Sequence, residues 1–128
     1  MKLLLDTHLV LWTLDDSPRL TPQAREVLTA DGTECYVSVV SLWEIAIKAS
    51  LRRTAFRIDF SKLMAGVRSA GFRLLAFEPE HALRVARLAR HHADPFDRAL
   101  VAQAQAERMR LLTHDAVLAR YGNFVSVV

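Results

Sequence analysis

Short apolar runs alternate along this chain with longer segments in which the hydrophobic positions have helical spacing. Five apolar runs, at residues 2–5, 35–39, 73–77, 110–113 and 124–128, are typical of strands buried in a parallel sheet. Amphipathic segments lie between them, at residues 21–30, 41–51, 60–70, 79–90 and 94–109, and a short helix follows Asp115. Because parallel strands need crossover connections, the pattern predicts a three-layer α/β/α domain with a central parallel sheet of about five strands.

Several residues mark where the predicted helices begin and which faces they bury. Thr21-Pro22 and Asp94-Pro95 each combine an N-cap residue with a proline in the first helical position. Gly71 ends the helix that begins at Phe60. Two stripes with i, i+3, i+4, i+7 spacing predict buried helix faces: Leu42, Ile45, Ala46 and Ala49, and Ala82, Val85, Ala86 and Ala89.

Composition narrows the class of protein. A chain of 128 residues with 52% hydrophobic residues fits one folded domain, residues 1–128, and excludes intrinsic disorder. The single cysteine, Cys35, excludes an internal disulfide framework and a multi-cysteine zinc site. No apolar run reaches the ~20 residues of a membrane helix, so we expect a cytoplasmic protein. The net charge of +3 is compatible with nucleic-acid binding and does not demonstrate it.

Acidic residues follow the predicted strands at the sheet edge where ligands bind in parallel folds. Asp6 ends the first strand, Glu44 lies one turn into the helix after the second, and Asp115 follows the fourth. Asp94 and Asp97 begin the helix that leads to the fourth strand. We therefore expect carboxylates from four separate segments to converge on the carboxyl edge of the sheet.

Such a convergence favours a cation site. Two carboxylates ~4 Å apart repel each other by about 4 kcal/mol at an effective dielectric constant of 20. Oxygen ligands without cysteine suit Mg²⁺ or Mn²⁺, which can make water nucleophilic and stabilise charge on a phosphodiester. Each acid also has a structural interpretation: Ser41-x-x-Glu44 is a capping box, Glu44 can pair with Lys48, and Asp94 and Asp115 are candidate N-caps.

The motifs in this order resemble those of the PIN-domain ribonucleases, and among them the VapC-type toxins of bacterial type II toxin–antitoxin systems. The matching runs are Leu-Leu-Leu-Asp6-Thr7-His8, Ser41-Leu42-Trp43-Glu44-Ile45, His92-x-Asp94-Pro95-Phe96-Asp97-Arg98 and Leu112-Thr113-His114-Asp115. The resemblance implies a Mg²⁺- or Mn²⁺-dependent endoribonuclease that forms a homodimer, cleaves RNA and is neutralised by a cognate antitoxin.

The resemblance also implies roles for individual residues. The four acids of the family match Asp6, Glu44, Asp97 and Asp115, with Asp94 as an N-cap that could exchange roles with Asp97. The hydroxyl groups of the family match Thr7 and Thr113. Arg98, which follows the third acid, is interpreted either as a phosphate ligand or as the partner of a carboxylate in an ion pair.

Other interpretations stay open at this point. His8 and His114 could shuttle protons or hold loops in place. His91-His92 could bind a metal, but adjacent histidines without further ligands are interpreted as loop residues. A basic stripe, formed by Arg84, Arg87 and His91, is either a solvated face or a track for the RNA backbone. The alternative function is a non-catalytic module that binds RNA or a partner. A phosphatase of another α/β family is disfavoured because Asp6-Thr7-His8 lacks an Asp-x-Asp motif.

Overall fold

A computed structural model describes residues 1–51 and 58–128 of the chain. Five parallel strands form one sheet in the order β3-β2-β1-β4-β5. The strands are β1 (Lys2–Leu5), β2 (Glu34–Ser38), β3 (Arg73–Leu75), β4 (Arg110–Thr113) and β5 (Val125–Val127). The predicted parallel sheet of about five strands is confirmed, and β1 lies at its centre, where both faces are covered.

Helices pack on both faces of the sheet. They are α1 (Thr7–Leu14), α2 (Pro22–Thr29), α3 (Val39–Ser50), α4 (Phe60–Ser69), α5 (Pro79–Arg87) and α6 (Pro95–Glu107), and a 3₁₀ turn covers Ala116–Tyr121. None of these described helices combines the length and the apolar character needed to cross a bilayer. Alternate residues of the strands face opposite ways, so Leu4 and Leu111 belong to one hydrophobic core and Leu5 and Leu112 to the other.

The junction between β2 and α3 differs from the sequence prediction. Strand β2 ends at Ser38, whose Oγ accepts the backbone N–H of Val40 and caps α3. The helix therefore begins two residues earlier than expected, and Ser41 lies inside it, fully buried. The predicted capping box between Ser41 and Glu44 is wrong, because Ser38 takes the capping position and leaves the Glu44 side chain available for other contacts.

The predicted buried stripe of α5 is also wrong. Ala82, Ala86 and Ala89 are exposed, whereas His81 is fully buried and Val85 packs against the core on the side of α6. His81 is anchored there because its Nδ1 accepts the N–H of Glu78 and its Nε2 lies 2.9 Å from Glu107. The outer face of α5 therefore exposes small apolar side chains, among them Ala82 and Ala86.

Candidate active site

Asp6 occupies the carboxyl end of the central strand. Its backbone N–H donates to Leu112 O at 3.0 Å, which extends the β1–β4 ladder by one residue and places Asp6 beside Thr113. Oδ1 accepts the N–H of Leu9, and Oδ2 accepts the hydroxyl of Thr113 at 2.6 Å and the N–H of His114 at 3.2 Å. These three donors hold a buried carboxylate in one orientation.

Glu44 lies one turn into α3, where it is buried beside the first turn of α1. Its Oε1 accepts the hydroxyl of Thr7 at 2.6 Å, and its Oε2 accepts Nζ of Lys48, also at 2.6 Å. Thr7 Oγ1 is also 3.0 Å from Oγ of Ser41. The predicted pairing of Glu44 with Lys48 is therefore formed, and both oxygens of this carboxylate already have a donor.

Asp94 and Asp97 stand in different environments at the start of α6. Asp94 is the N-cap, since its Oδ1 accepts the N–H groups of Phe96 at 2.8 Å and Asp97 at 3.4 Å. Burial raises the pKa of Asp97 to about 7, and the negative charges of Asp94, Asp6 and Glu44 add to that effect against the opposing charge of His92. Asp97 therefore carries its charge only partly at neutral pH.

Asp115 caps the 3₁₀ turn that follows β4. Its Oδ1 accepts the N–H of Val117, and its Oδ2 lies 2.7 Å from Nε2 of His92. Partial burial alone would raise the pKa of Asp115, but the hydrogen bonds from His92 and Val117 and the nearby charges of His92 and His8 lower it below its usual value. The neighbours of Asp115 thus favour its charged form.

His92 is a member of the site, although the sequence interpretation favoured a loop residue over a metal ligand at this position. Its Nδ1 accepts the N–H of Asp94 at 3.0 Å, so in the neutral ring the hydrogen is on Nε2. That Nε2–H points to Asp115 and lies 3.5 Å from Oδ2 of Asp97. The ligand atoms of His92, Asp97 and Asp115 lie within 4.8 Å of one another. Its position two residues before the N-cap Asp94 was the available signal.

Arg98 does not contact the acids. Its guanidinium donates to the carbonyl oxygens of Ala89 at 2.9 Å and Val85 at 3.1 Å, and to Tyr121 Oη at 3.2 Å. The last carbonyl groups of a helix have no N–H donor within the helix, and the guanidinium of Arg98 provides such donors at the end of α5. Within the described part of the chain it forms no ion pair with a carboxylate, so the expected ion pair is not found. The role of Arg98 as a phosphate ligand stays a prediction.

The two histidines that flank the strands differ in their surroundings. Nδ1 of His114 lies 2.7 Å from the carbonyl oxygen of Val128, and its ring packs edge-on against Trp12 at 5.1 Å. His114 therefore joins the carboxyl end of β4 to the end of β5, as the loop-positioning interpretation expects. His8 is exposed on the first turn of α1, where its ring lies 5.7 Å from that of Trp12.

The donor set fits a divalent cation. Carboxylates from β1, α3, α6 and the turn after β4 converge at one edge of the sheet, and one of them holds a proton with a pKa of about 7 because its charge is unfavourable there. A cation removes that penalty, and carboxylate oxygens match the preference of Mg²⁺ and Mn²⁺, although Nε2 of His92 lies among the same ligand atoms as Asp97 and Asp115. Asp97 is the residue at which proton and cation compete.

The fold and the site define a parallel α/β/α domain with an acidic cluster of the kind that binds divalent cations. The sequence matches the PIN domain over residues 3–123, nearly the whole chain, and the chain therefore belongs to the PIN domain family. The family resemblance drawn from the motifs is thereby confirmed. No curated protein matched the sequence closely enough to serve as a relative.

Solved structures with this fold include toxin–antitoxin complexes. One is VapBC2 from Rickettsia felis bound to a DNA fragment from its promoter, with 14% identity, a TM-score of 0.71, and coverage of 100% of this chain and 98% of that chain. A toxin–antitoxin complex from Klebsiella pneumoniae has 20% identity, a TM-score of 0.65, and coverage of 97% and 95%. VapBC-1 from nontypeable Haemophilus influenzae has 12% identity, a TM-score of 0.67, and coverage of 99% and 98%. At these identities the likeness establishes the fold.

Proposed function

We propose that this chain is a VapC-type toxin, a Mg²⁺- or Mn²⁺-dependent endoribonuclease that acts in the cytoplasm and is neutralised by a cognate antitoxin. Single-stranded or structured RNA is the substrate. The observation that carries the proposal is the half-buried Asp97, whose pKa of about 7 reflects its partial burial and the charges of Asp94, Asp6 and Glu44. Because the neighbouring carboxylates make the charged form of Asp97 unfavourable, a bound cation would stabilise this cluster. The toxin–antitoxin complexes among the similar folds agree with the partner assigned here.

Four acids hold the cation in this proposal. Asp6 and Asp97 bind it directly, Glu44 binds directly or through water, and Asp115 supports a second ion or orients water. When bound, the cation neutralises charge on the scissile phosphodiester and makes the attacking water more acidic. The reaction is a hydrolysis in which the phosphodiester bond breaks and no side chain serves as nucleophile.

The remaining residues orient these acids. Thr113 donates to Asp6 and Thr7 donates to Glu44, so each hydroxyl holds one carboxylate oxygen in place. Lys48 neutralises Glu44 and has to yield Oε2 before that oxygen can bind a cation directly. His92 holds Asp115 through its Nε2–H and thereby keeps the fourth acid turned toward Asp97.

The homodimer expected from the family resemblance is assigned to an apolar groove between α3, α5 and α6. This groove has a volume of about 380 Å³ and is lined by Val39, Val40, Trp43, Phe77, Ala82, Val85, Pro95, Phe96 and Ala99. Trp43 is 60% exposed there. The cores of protein interfaces are typically rich in aromatic residues and poor in charged residues, as this groove is. A second copy of the chain is therefore the proposed occupant.

The decisive experiment is cleavage of end-labelled single-stranded RNA by the purified protein, freed of its antitoxin, in Mg²⁺, in Mn²⁺ and in chelator. We expect endonucleolytic products with either metal and none in chelator. Asp97→Asn should abolish cleavage, whereas Asp15→Asn, which alters an exposed acid at the end of α1, should retain it. RNA that is bound but left intact in both metals would instead support the non-catalytic binding module.

A further inference from the structure

A basic cavity opens at the amino ends of β1 and β4, at the opposite edge of the sheet from the acid cluster. Its volume is about 790 Å³, and its lining includes the first residues of both strands, Lys2 and Arg110. Arg84 of α5 and Arg108, which ends α6, complete the charged part of the lining. Among the described residues that line this cavity, all the ionised side chains are positive.

These cations are not neutralised within the described part of the chain. Lys2, Arg84, Arg108 and Arg110 take part in none of its ion pairs. Nη1 of Arg110 donates to the carbonyl oxygen of Asn123 at 3.0 Å and to Oγ of Ser126 at 2.9 Å, both neutral acceptors. The guanidinium is therefore held in place while its charge remains available to an anion.

The last turn of α5 and the residues after it lie between this cavity and the acid cluster, since Arg98, beside Asp97, contacts Val85 and Ala89. Arg84 also lines a neighbouring cavity of about 290 Å³ together with Arg87, one turn further along α5, and Glu80, the one acid among the described residues of that lining. Tyr121 lines the main cavity, donates its hydroxyl to Ala89 O at 2.8 Å, and packs edge-on against His91 at 5.0 Å. The residue after His91 is His92, which contacts Asp115. A ligand chain that leaves the cavity along α5 in the direction of His91 thus runs toward the acid cluster.

We propose that this amino-edge basic surface, defined by Lys2, Arg84, Arg87, Arg108, Arg110 and Tyr121, binds the backbone of single-stranded RNA on one side of the bond that is cleaved. The inference rests on the proposed nuclease function and adds a second contact region for the same substrate. Arginines that lack carboxylate partners suit phosphates. Aromatic rings beside them, here Tyr121 and Phe124, are typical of surfaces that bind single strands without reading their sequence.

RNA binding in chelator tests the surface without cleavage. The probe is a fluorescently labelled 12-nucleotide single strand, and affinity is measured by anisotropy over a range of salt concentrations. The double substitution Arg84→Gln with Arg108→Gln should weaken binding about tenfold or more and lower the salt slope of log K by about 1.4, at ~0.7 per lost phosphate contact. A matched pair on exposed surface elsewhere, Arg19→Gln with Arg68→Gln, should change neither quantity.

Cleavage kinetics separate this inference from the proposed function. With Mg²⁺, the Arg84/Arg108 pair should raise KM for the 12-nucleotide strand, leave kcat unchanged, and leave cleavage of a trinucleotide unaffected. A protein that binds the strand through these arginines and cuts nothing contradicts the nuclease function alone. Equal losses for the two double variants, an unchanged salt slope, or a wild-type protein that does not bind the strand would overturn the inference.

Discussion

The hydroxyl of Thr113 donates a hydrogen bond of 2.6 Å to Oδ2 of Asp6, although these residues are separated by 107 positions in the chain. The contact follows from the register of the two central strands, which pairs Leu5 with Leu112. Thr113 Oγ1 also accepts the N–H of Asp115 at 3.0 Å. One buried hydroxyl therefore ties the first acid of the site to the turn that carries the last.

Replacing that hydroxyl tests its role. Thr113→Val keeps nearly the same volume but removes one of the three donors to Asp6 and leaves the N–H of Asp115 without its acceptor. We expect the free energy of unfolding to fall by about 1–3 kcal/mol and RNA cleavage to fall with it. Thr29→Val, at an exposed hydroxyl of α2, should change stability by less than about 0.5 kcal/mol. Equal effects of the two substitutions, measured by urea unfolding, would contradict the role given to Thr113.

Asp6→Asn separates catalysis from folding. The amide oxygen of asparagine can still accept the N–H of Leu9 and cap α1, whereas its NH₂ group faces the N–H of His114. We expect loss of metal-dependent cleavage, an unchanged far-ultraviolet circular dichroism spectrum, and a Tm lower by a few degrees. Full activity of the purified variant would remove Asp6 from the cation site.

Cation binding should release a proton from Asp97. Its pKa of about 7 means that about 0.9 of a proton is bound at pH 6 and about 0.1 at pH 8, and the cation displaces that fraction. Calorimetric titration with Mn²⁺ in buffers of different ionisation enthalpy measures the released protons directly. Asp94→Asn keeps a good N-cap but removes a charge that raises the pKa of Asp97, so its proton release should shift to lower pH. Proton release that does not depend on pH would contradict this coupling.

The same group makes the cation-free protein less stable as pH rises. The folded-state pKa of Asp97 lies above its unfolded value of 3.8, so the folded chain binds the proton more tightly. Its contribution is fully present below about pH 4 and is lost as pH increases to about 7, a change of at most about 4 kcal/mol. In chelator, Asp97→Asn should therefore unfold at higher urea concentration than the wild-type protein at pH 8, and at a similar concentration at pH 4. A difference that stays constant over this range would contradict the assignment.

The sheet was predictable because its strands are short and covered on both faces, which produces apolar runs such as residues 3–5 and 111–112. The start of α3 was not, because Ser38 and Ser41 are both acceptable caps in isolation. Ser38 also donates its hydroxyl to Gln103, 65 residues away, and no local pattern indicates that contact.

The acids of the site were predictable from their places after the strands, whereas two neighbouring side chains were not. His92 acts on Asp115, a residue 23 positions later, so its role depends on how the segments meet. Arg98 donates to backbone carbonyl oxygens at the end of α5. Because every residue has a backbone carbonyl, the sequence does not indicate which one accepts a hydrogen bond. The contacts of charged side chains beside a motif are therefore the hardest to predict from the sequence.

If the apolar groove is the dimer interface, one charged substitution within it should prevent dimer formation. Trp43 is 60% exposed and packs edge-on against Phe96 at 5.2 Å, so Trp43→Asp removes little buried surface from one copy but places a carboxylate in the proposed interface. We expect the wild-type protein to sediment at twice its mass of 14.4 kDa and Trp43→Asp to sediment as a monomer with a similar Tm. Phe60→Asp, which alters an exposed aromatic residue on α4, should remain dimeric. A dimer that survives Trp43→Asp, or a monomeric wild-type protein, would place the interface elsewhere or remove it.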